Sequence, residues 1–136
     1  MQSETIRDDA GNDGSIVHQL SELYDEGVEI NLLNEQGTPR YTPKQWGMLM
    51  RYADFIEDVA PEFLKTEFQV FAPHYAGTVD RLAIIDGETF VLDIKTSKSV
   101  HPSHWAQTAA YARALEAEGT KIDGIAILHL QSATRA

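Results

Sequence analysis

Residues 76–98 read AGTVDRLAIIDGETFVLDIKTSK, in which Asp80, Asp93 and Lys95 interrupt hairpin strands rich in Leu, Ile, Val and Phe. Side chains alternate along an extended strand. Thr78, Asp80, Leu82 and Ile84 therefore share one side of the first strand, and Val91, Asp93 and Lys95 share one side of the second. Asp86 and Gly87 supply the turn between them. Charges on strands with so much Leu, Ile, Val and Phe must be paired or bound to a metal ion if they are buried. The plain alternative is an ordinary ion pair between Asp93 and Lys95 on the solvent face of a sheet.

The elements that must position these residues follow from periodicity. Residues 1–13 are polar and acidic without a period, which predicts a disordered tail, and residues 14–136 form a single domain. Ile16, Val17, Leu20, Leu23 and Tyr24 recur at helical spacing, with Ser15 as cap and Gly27 as stop, so His18 lies on a first helix. Thr42, Pro43 and Gln45 open a second helix whose stripe is Trp46, Leu49, Ala53, Ile56 and Ala60, ended by Pro61. Residues 65–71 alternate as a strand carrying Glu67. Pro102 and Ser103 start a third helix packed through Trp105, Ala109, Ala112 and Leu115, on which Gln107 and Tyr111 project from one side. An apolar strand over 122–130 follows, and its connection through a helix predicts a parallel crossover. The last residues, QSATRA, complete no further element. The expected fold is α/β, a central mixed sheet flanked by helices.

Composition narrows the function classes. A chain of 136 residues, 43% hydrophobic, can bury one continuous core without disulfides or structural metal. The absence of cysteine removes iron–sulfur clusters, thiolate zinc sites and cysteine nucleophiles. No apolar run approaches the length of a membrane span, and the N-terminus lacks the basic and apolar regions of a secretory signal, so a cytoplasmic location is expected. With 11 Lys and Arg against 21 Asp and Glu, the formal charge is −10, which by itself argues against a nucleic-acid partner. Divalent cations would offset the acids locally, but phosphate attraction still requires a localised basic strip.

Taken together the motifs resemble the PD-(D/E)XK nuclease superfamily and, within it, the RecB-like exonucleases. GSIVH, ending at His18, resembles the first-helix motif of that group. Glu67 stands on the strand before the hairpin, and GTVDR over 77–81 resembles the second motif. Asp93, Ile94 and Lys95 fit the D/E-x-K core, and Gln107 with Tyr111 resembles the QxxxY motif of RecB-like and CRISPR-associated members. The resemblance runs from Gly14 to Tyr111, with the motifs in order. Two departures stand out: the cysteines that bind an iron–sulfur cluster in CRISPR-associated relatives are absent, and these 136 residues include no helicase domain of the kind that commonly sits beside RecB-like enzymes. Small stand-alone nucleases of this kind occur in phages.

This resemblance implies a restriction-endonuclease-like core and a divalent-metal-dependent deoxyribonuclease, with exonuclease preferred over endonuclease, acting in a bacterial or phage-infected cell. It implies that His18, Asp80, Asp93 and the backbone carbonyl of Ile94 hold Mg²⁺ or Mn²⁺, with Glu67 as a further ligand. An imidazole ligand sits more comfortably on Mn²⁺ than on Mg²⁺. Asp80, Asp93 and Lys95 form the implied catalytic set, Lys95 orienting the attacking water and stabilising developing negative charge. DNA is the implied partner, contacted by Gln107, Tyr111, Arg81 and Lys98, with Arg113 as a further phosphate contact. A homo-oligomer or a recombination or helicase protein is a further expected partner. The rival reading is a non-catalytic module that binds DNA ends or a protein on the same fold, which the acidic charge favours; a third makes the carboxylates incidental to an acidic interaction protein.

Overall fold

In a computed structural model that describes residues 2–131, with side chains from Asp13 onward, the elements run α1 (Gln2–Asp25), α2 (Pro43–Val59), β1 (Glu62–Ala72), β2 (Tyr75–Ile85), β3 (Glu88–Lys95), α3 (Pro102–Ala117) and β4 (Gly124–His129). Residues 132–136, expected to add no element, lie outside this description. The helix over the N-terminal residues begins well before Ser15, which is therefore an interior position and not its cap, and the lead expected to be disordered over 1–13 is helical from Gln2. Once a helix is nucleated by its packed half, each added residue contributes a hydrogen bond without a new nucleation cost, so Gly11 and Gly14 weaken α1 without ending it. Asp13 is tied down, accepting a hydrogen bond from Gln45 Nε2 at 2.8 Å.

The start of α2 follows the expected capping box: Gln45 N–H donates to Thr42 Oγ1 and Thr42 N–H donates to Gln45 Oε1, both at 3.0 Å. Its buried face is Gln45, Met48, Leu49 and Tyr52, rotated from the expected stripe. Trp46 stacks on Tyr41 at the rim, with centroids 6.0 Å apart. On α3 the buried residues are Thr108, Ala112, Ala114 and Leu115, whereas Trp105, expected in the packing stripe, is 44% exposed.

The sheet is ordered β1-β2-β3-β4, antiparallel through the first three strands and parallel between β3 and β4 across α3, as the crossover predicted. Asp86 and Gly87 close the β2–β3 hairpin with φ of 52° and 81°, the two left-handed residues of a type I′ turn. Helices cover both faces. Val17 of α1 and Met48 and Tyr52 of α2 pack with Ile94 on one face, while Ala112 and Leu115 of α3 pack with Val70, Val79, Leu82 and Val91 on the other. Among the described residues no helix is long and apolar enough to cross a membrane.

The sheet is not continuous to its end. Pairing between β2 and β3 runs only from Ile85 opposite Glu88 to Arg81 opposite Leu92. Beyond that level β2 continues with β1 alone, as far as Ala72 opposite Tyr75, and β3 continues with β4 alone, as far as Lys95 opposite His129. The two arms part at Asp80 and Asp93, and the sheet forks there.

Candidate metal centre at the sheet fork

Residues at the fork replace the missing ladder with side-chain bonds. Ile94 N–H, which has no β2 carbonyl to meet, donates to Asp80 Oδ2 at 2.7 Å. The N–H and C=O of one strand residue point to the same side, so the Ile94 carbonyl faces the fork as well. Strand alternation puts Asp80 and Leu82 on one side, but the two part: Leu82 joins the core beneath α3, whereas Asp80 Oδ1 reaches 3.5 Å from His18 Nδ1 on α1. The cause is a local irregularity shared by both strands of the arm. Opposite Asp80, Glu67 has φ of 47°, a left-handed conformation uncommon for a non-glycine residue, and its carboxylate is thereby turned toward the same place. Glu67 Oε2 lies 3.9 Å from His18 Nδ1, and one ligand atom from each of His18, Glu67 and Asp80 falls within 4.8 Å of the others.

Asp93 enters from the α3 side, on the same strand face as Val91. Burial first, then the neighbouring Asp93 carboxyl, push Asp80 up to about 8 against the opposing Ile94 N–H. Lys95 Nζ stands 3.0 Å from Asp93 Oδ2, but outside hydrogen-bonding alignment, so this buried oxygen has no hydrogen-bond partner. The Asp93–Lys95 pair is thus largely buried, with side-chain exposures of 14% and 21%, and is not the surface ion pair that was the plain alternative. Two carboxylates and an imidazole converge, with Asp93 and an inward-facing carbonyl beside them, one acid driven toward its protonated form and another left with an orphaned oxygen; such donors suit a hard divalent cation.

Arg81 occupies a different role from the one expected. Its side chain is fully buried, so it cannot meet a phosphate. Arg81 Nε donates to Asp25 Oδ2 at 2.9 Å, Nη2 to Ser21 Oγ at 2.9 Å, and Nη1 to its neighbour's Asp80 C=O at 2.8 Å and to Glu67 Oε2 at 3.4 Å. Ser21 Oγ in turn donates to the His18 carbonyl at 2.7 Å, and Tyr52 Oη donates to Asp25 Oδ1 at 2.7 Å. One guanidinium thus ties together the elements bearing His18, Glu67 and Asp80. Burial raises the Asp25 carboxyl, with Tyr52 and Arg81 opposing. Ser21, Asp25 and Tyr52 were missed from sequence; the only available signal was that Ser21 and Asp25 follow His18 by one and two helical turns on α1.

Tyr111 is a brace. A Cβ built on Gly77 would lie 2.1 Å from Tyr111 Oη, so the glycine of the GTVDR motif is the slot into which this tyrosine fits. Tyr75 Oη donates to the Ala110 carbonyl at 2.8 Å, a second link from α3 to the β1–β2 arm. Gln107 is exposed one turn nearer the start of α3, and Lys98 and Arg113 are exposed as well. Two further histidines stand near Lys95: His129 pairs with it across β3 and β4 and donates from Nε2 to the Ser97 carbonyl at 2.7 Å, and His104 is lowered by desolvation first and then by the Lys95 charge.

The fold and site together define an α/β protein with a half-buried carboxylate and imidazole cluster at a sheet fork. No family model matches the chain, and no curated protein matches it.

Proposed function

We propose that this protein is a divalent-metal-dependent deoxyribonuclease with a restriction-endonuclease-like core, of the RecB-like type and an exonuclease by preference. The observation that carries the reading is the convergence of His18, Glu67, Asp80, Asp93 and Lys95, from four separate elements, on the fork where β2 and β3 part. Asp80, Asp93, Glu67, His18 and the Ile94 carbonyl would hold Mg²⁺ or Mn²⁺, and the bound cation would supply charge neutralisation and lower the energy of forming hydroxide from water. Asp80 would hold the cation in its ionised form. Lys95, held at the cluster by Asp93, orients the attacking water and stabilises negative charge as it develops on the phosphoryl oxygens. Arg81 keeps Glu67 and the Asp80 main chain in register with α1.

The test is incubation of linear and circular DNA with Mn²⁺, Mg²⁺ or EDTA. Loss of linear DNA alone, dependent on metal, supports the exonuclease; cleavage of both forms makes it an endonuclease. Binding without cleavage in any metal supports the non-catalytic module that the net charge of −10 favours.

A further inference from the structure

Beside the fork, on the α1 side of the β3–β4 arm, three hollows adjoin one another. The first, about 740 Å³, lies between α1 and the loop entering α2 and is lined by Asp13, Arg40 and Lys44 among others. The second, about 440 Å³, shares Asp13 and Lys44 with it and is lined also by Thr96, Lys98 and Gln131. The third, about 370 Å³, shares Lys44 and Gln131 and is bounded by Arg51. Shared walls make them one trough. Among the described side chains its lining carries four cations, Arg40, Lys44, Arg51 and Lys98, against one carboxylate, Asp13, in a chain whose acids otherwise outnumber its bases. Asp13 is itself occupied, by Gln45 Nε2 at 2.8 Å and by Lys44 Nζ at 3.7 Å. Arg51 is fixed by donating to the Leu130 carbonyl at 2.7 Å, and Lys44 remains about half exposed.

The trough abuts the β3 side of the fork at Thr96. Thr96 follows Lys95 directly, and Gly14 on α1 lets it approach, since a Cβ there would lie 3.1 Å from Thr96 Oγ1. Along α1, Asp13 precedes His18 by five residues, which at 1.5 Å per residue is roughly 7.5 Å. A strand whose end sits at the carboxylates would therefore pass the trough cations within its next few phosphates.

We propose that this trough is the track for the phosphodiester backbone of the nucleic-acid strand whose end lies in the fork, with Lys44 and Lys98 as its principal phosphate contacts. The inference rests on the nuclease reading for the fork's occupant. It supplies the localised basic strip that an acidic protein needs to hold a polyanion.

The test measures binding, by fluorescence anisotropy, of cleavage-resistant phosphorothioate strands of two and six deoxythymidine nucleotides, in Mg²⁺ and in EDTA, across a salt series. In the parent protein the longer strand binds more tightly. In Lys44→Ala/Lys98→Ala that gain is lost, and the slope of log affinity against log salt falls by about 1.4, near 0.7 for each lost contact on a single strand. Lys121→Ala, which removes a charge outside the trough, alters neither. Arg40→Ala provides a second, independent variant, and an unchanged melting temperature confirms folding of each. An equal gain with strand length in parent and variants, an unchanged salt slope, or no binding of either strand overturns the proposal. Parallel cleavage assays separate the two readings. Trough-dependent binding without cleavage of normal DNA leaves the track standing and removes the nuclease, and metal-dependent cleavage with trough-independent binding does the reverse.

Discussion

Replacing Asp80 by Asn should stabilise the metal-free protein. Asp80 is 7% exposed, and burial together with the Asp93 contact pushes its carboxyl up to about 8. Its folded value thus lies above the unfolded one, near 3.9, so the native state binds the extra proton and stability falls as pH rises between the two values. Each pH unit costs at most about 1.4 kcal/mol, and the whole interval sets a ceiling of roughly 5–6 kcal/mol. Two carboxylates share the strain and the site relaxes, so about 2 kcal/mol is the working figure. Asparagine imitates the protonated acid: its oxygen still accepts from Ile94 N–H and its amide donates toward Asp93. Thermal melts in EDTA should place Asp80→Asn roughly 6–8 °C above the parent at pH 8.5. The difference should shrink toward zero near pH 4, where the parent is protonated when folded and half-protonated when unfolded. Mn²⁺ should raise the melting temperature of the parent and not of the variant. A variant that melts below the parent at pH 8.5, or by a constant difference at every pH, would show that the Asp80 charge is not what strains this site.

Three further outcomes follow from the same geometry. Because Asp80 must lose its proton to bind a cation, calorimetry should find metal affinity rising by up to about tenfold per pH unit up to pH 8, with about one proton released per ion at pH 7; pH-independent affinity would place the cation elsewhere. Lys95→Ala should keep metal affinity, since a protonated amine is not a ligand, while cleavage falls by about a hundredfold or more, and Lys95→Arg should rescue little because its planar fork does not replace a compact ammonium; equal loss of affinity and cleavage would contradict this division. Gly77→Ala should destabilise by about 1–3 kcal/mol in urea titrations by displacing Tyr111, and the loss should shrink in a Tyr111→Ala background; strictly additive effects would mean the two residues do not share that slot.

Much of this molecule is written in local pattern. Residue period and turn chemistry were enough for the hairpin closed by Asp86 and Gly87, for the α2 capping box and for the parallel return of β4, because each depends on near neighbours or on the short reach of a connection. Asp80, Asp93 and Lys95 could be picked out because charged groups have no packing reason to interrupt apolar strands, whereas His18, on a helix, came only from the motif resemblance. What pattern could not contain was the fork. Alternation assumes an unbroken ladder, whereas Asp80 turns away from Leu82 only because β2 loses β3 at that level and Glu67 opposite it adopts a left-handed backbone. The same limit explains Arg81, which as a string of letters is a cation beside an acid and so a natural phosphate contact. Its burial, and its duty to Asp25, Ser21 and Glu67, arise from segments as many as 60 residues apart, and only their packing decides whether a guanidinium meets solvent or protein. The basic trough is likewise invisible in a chain of net charge −10, because Arg40, Lys44, Arg51 and Lys98 become neighbours only when α1, α2 and the end of β3 are brought together.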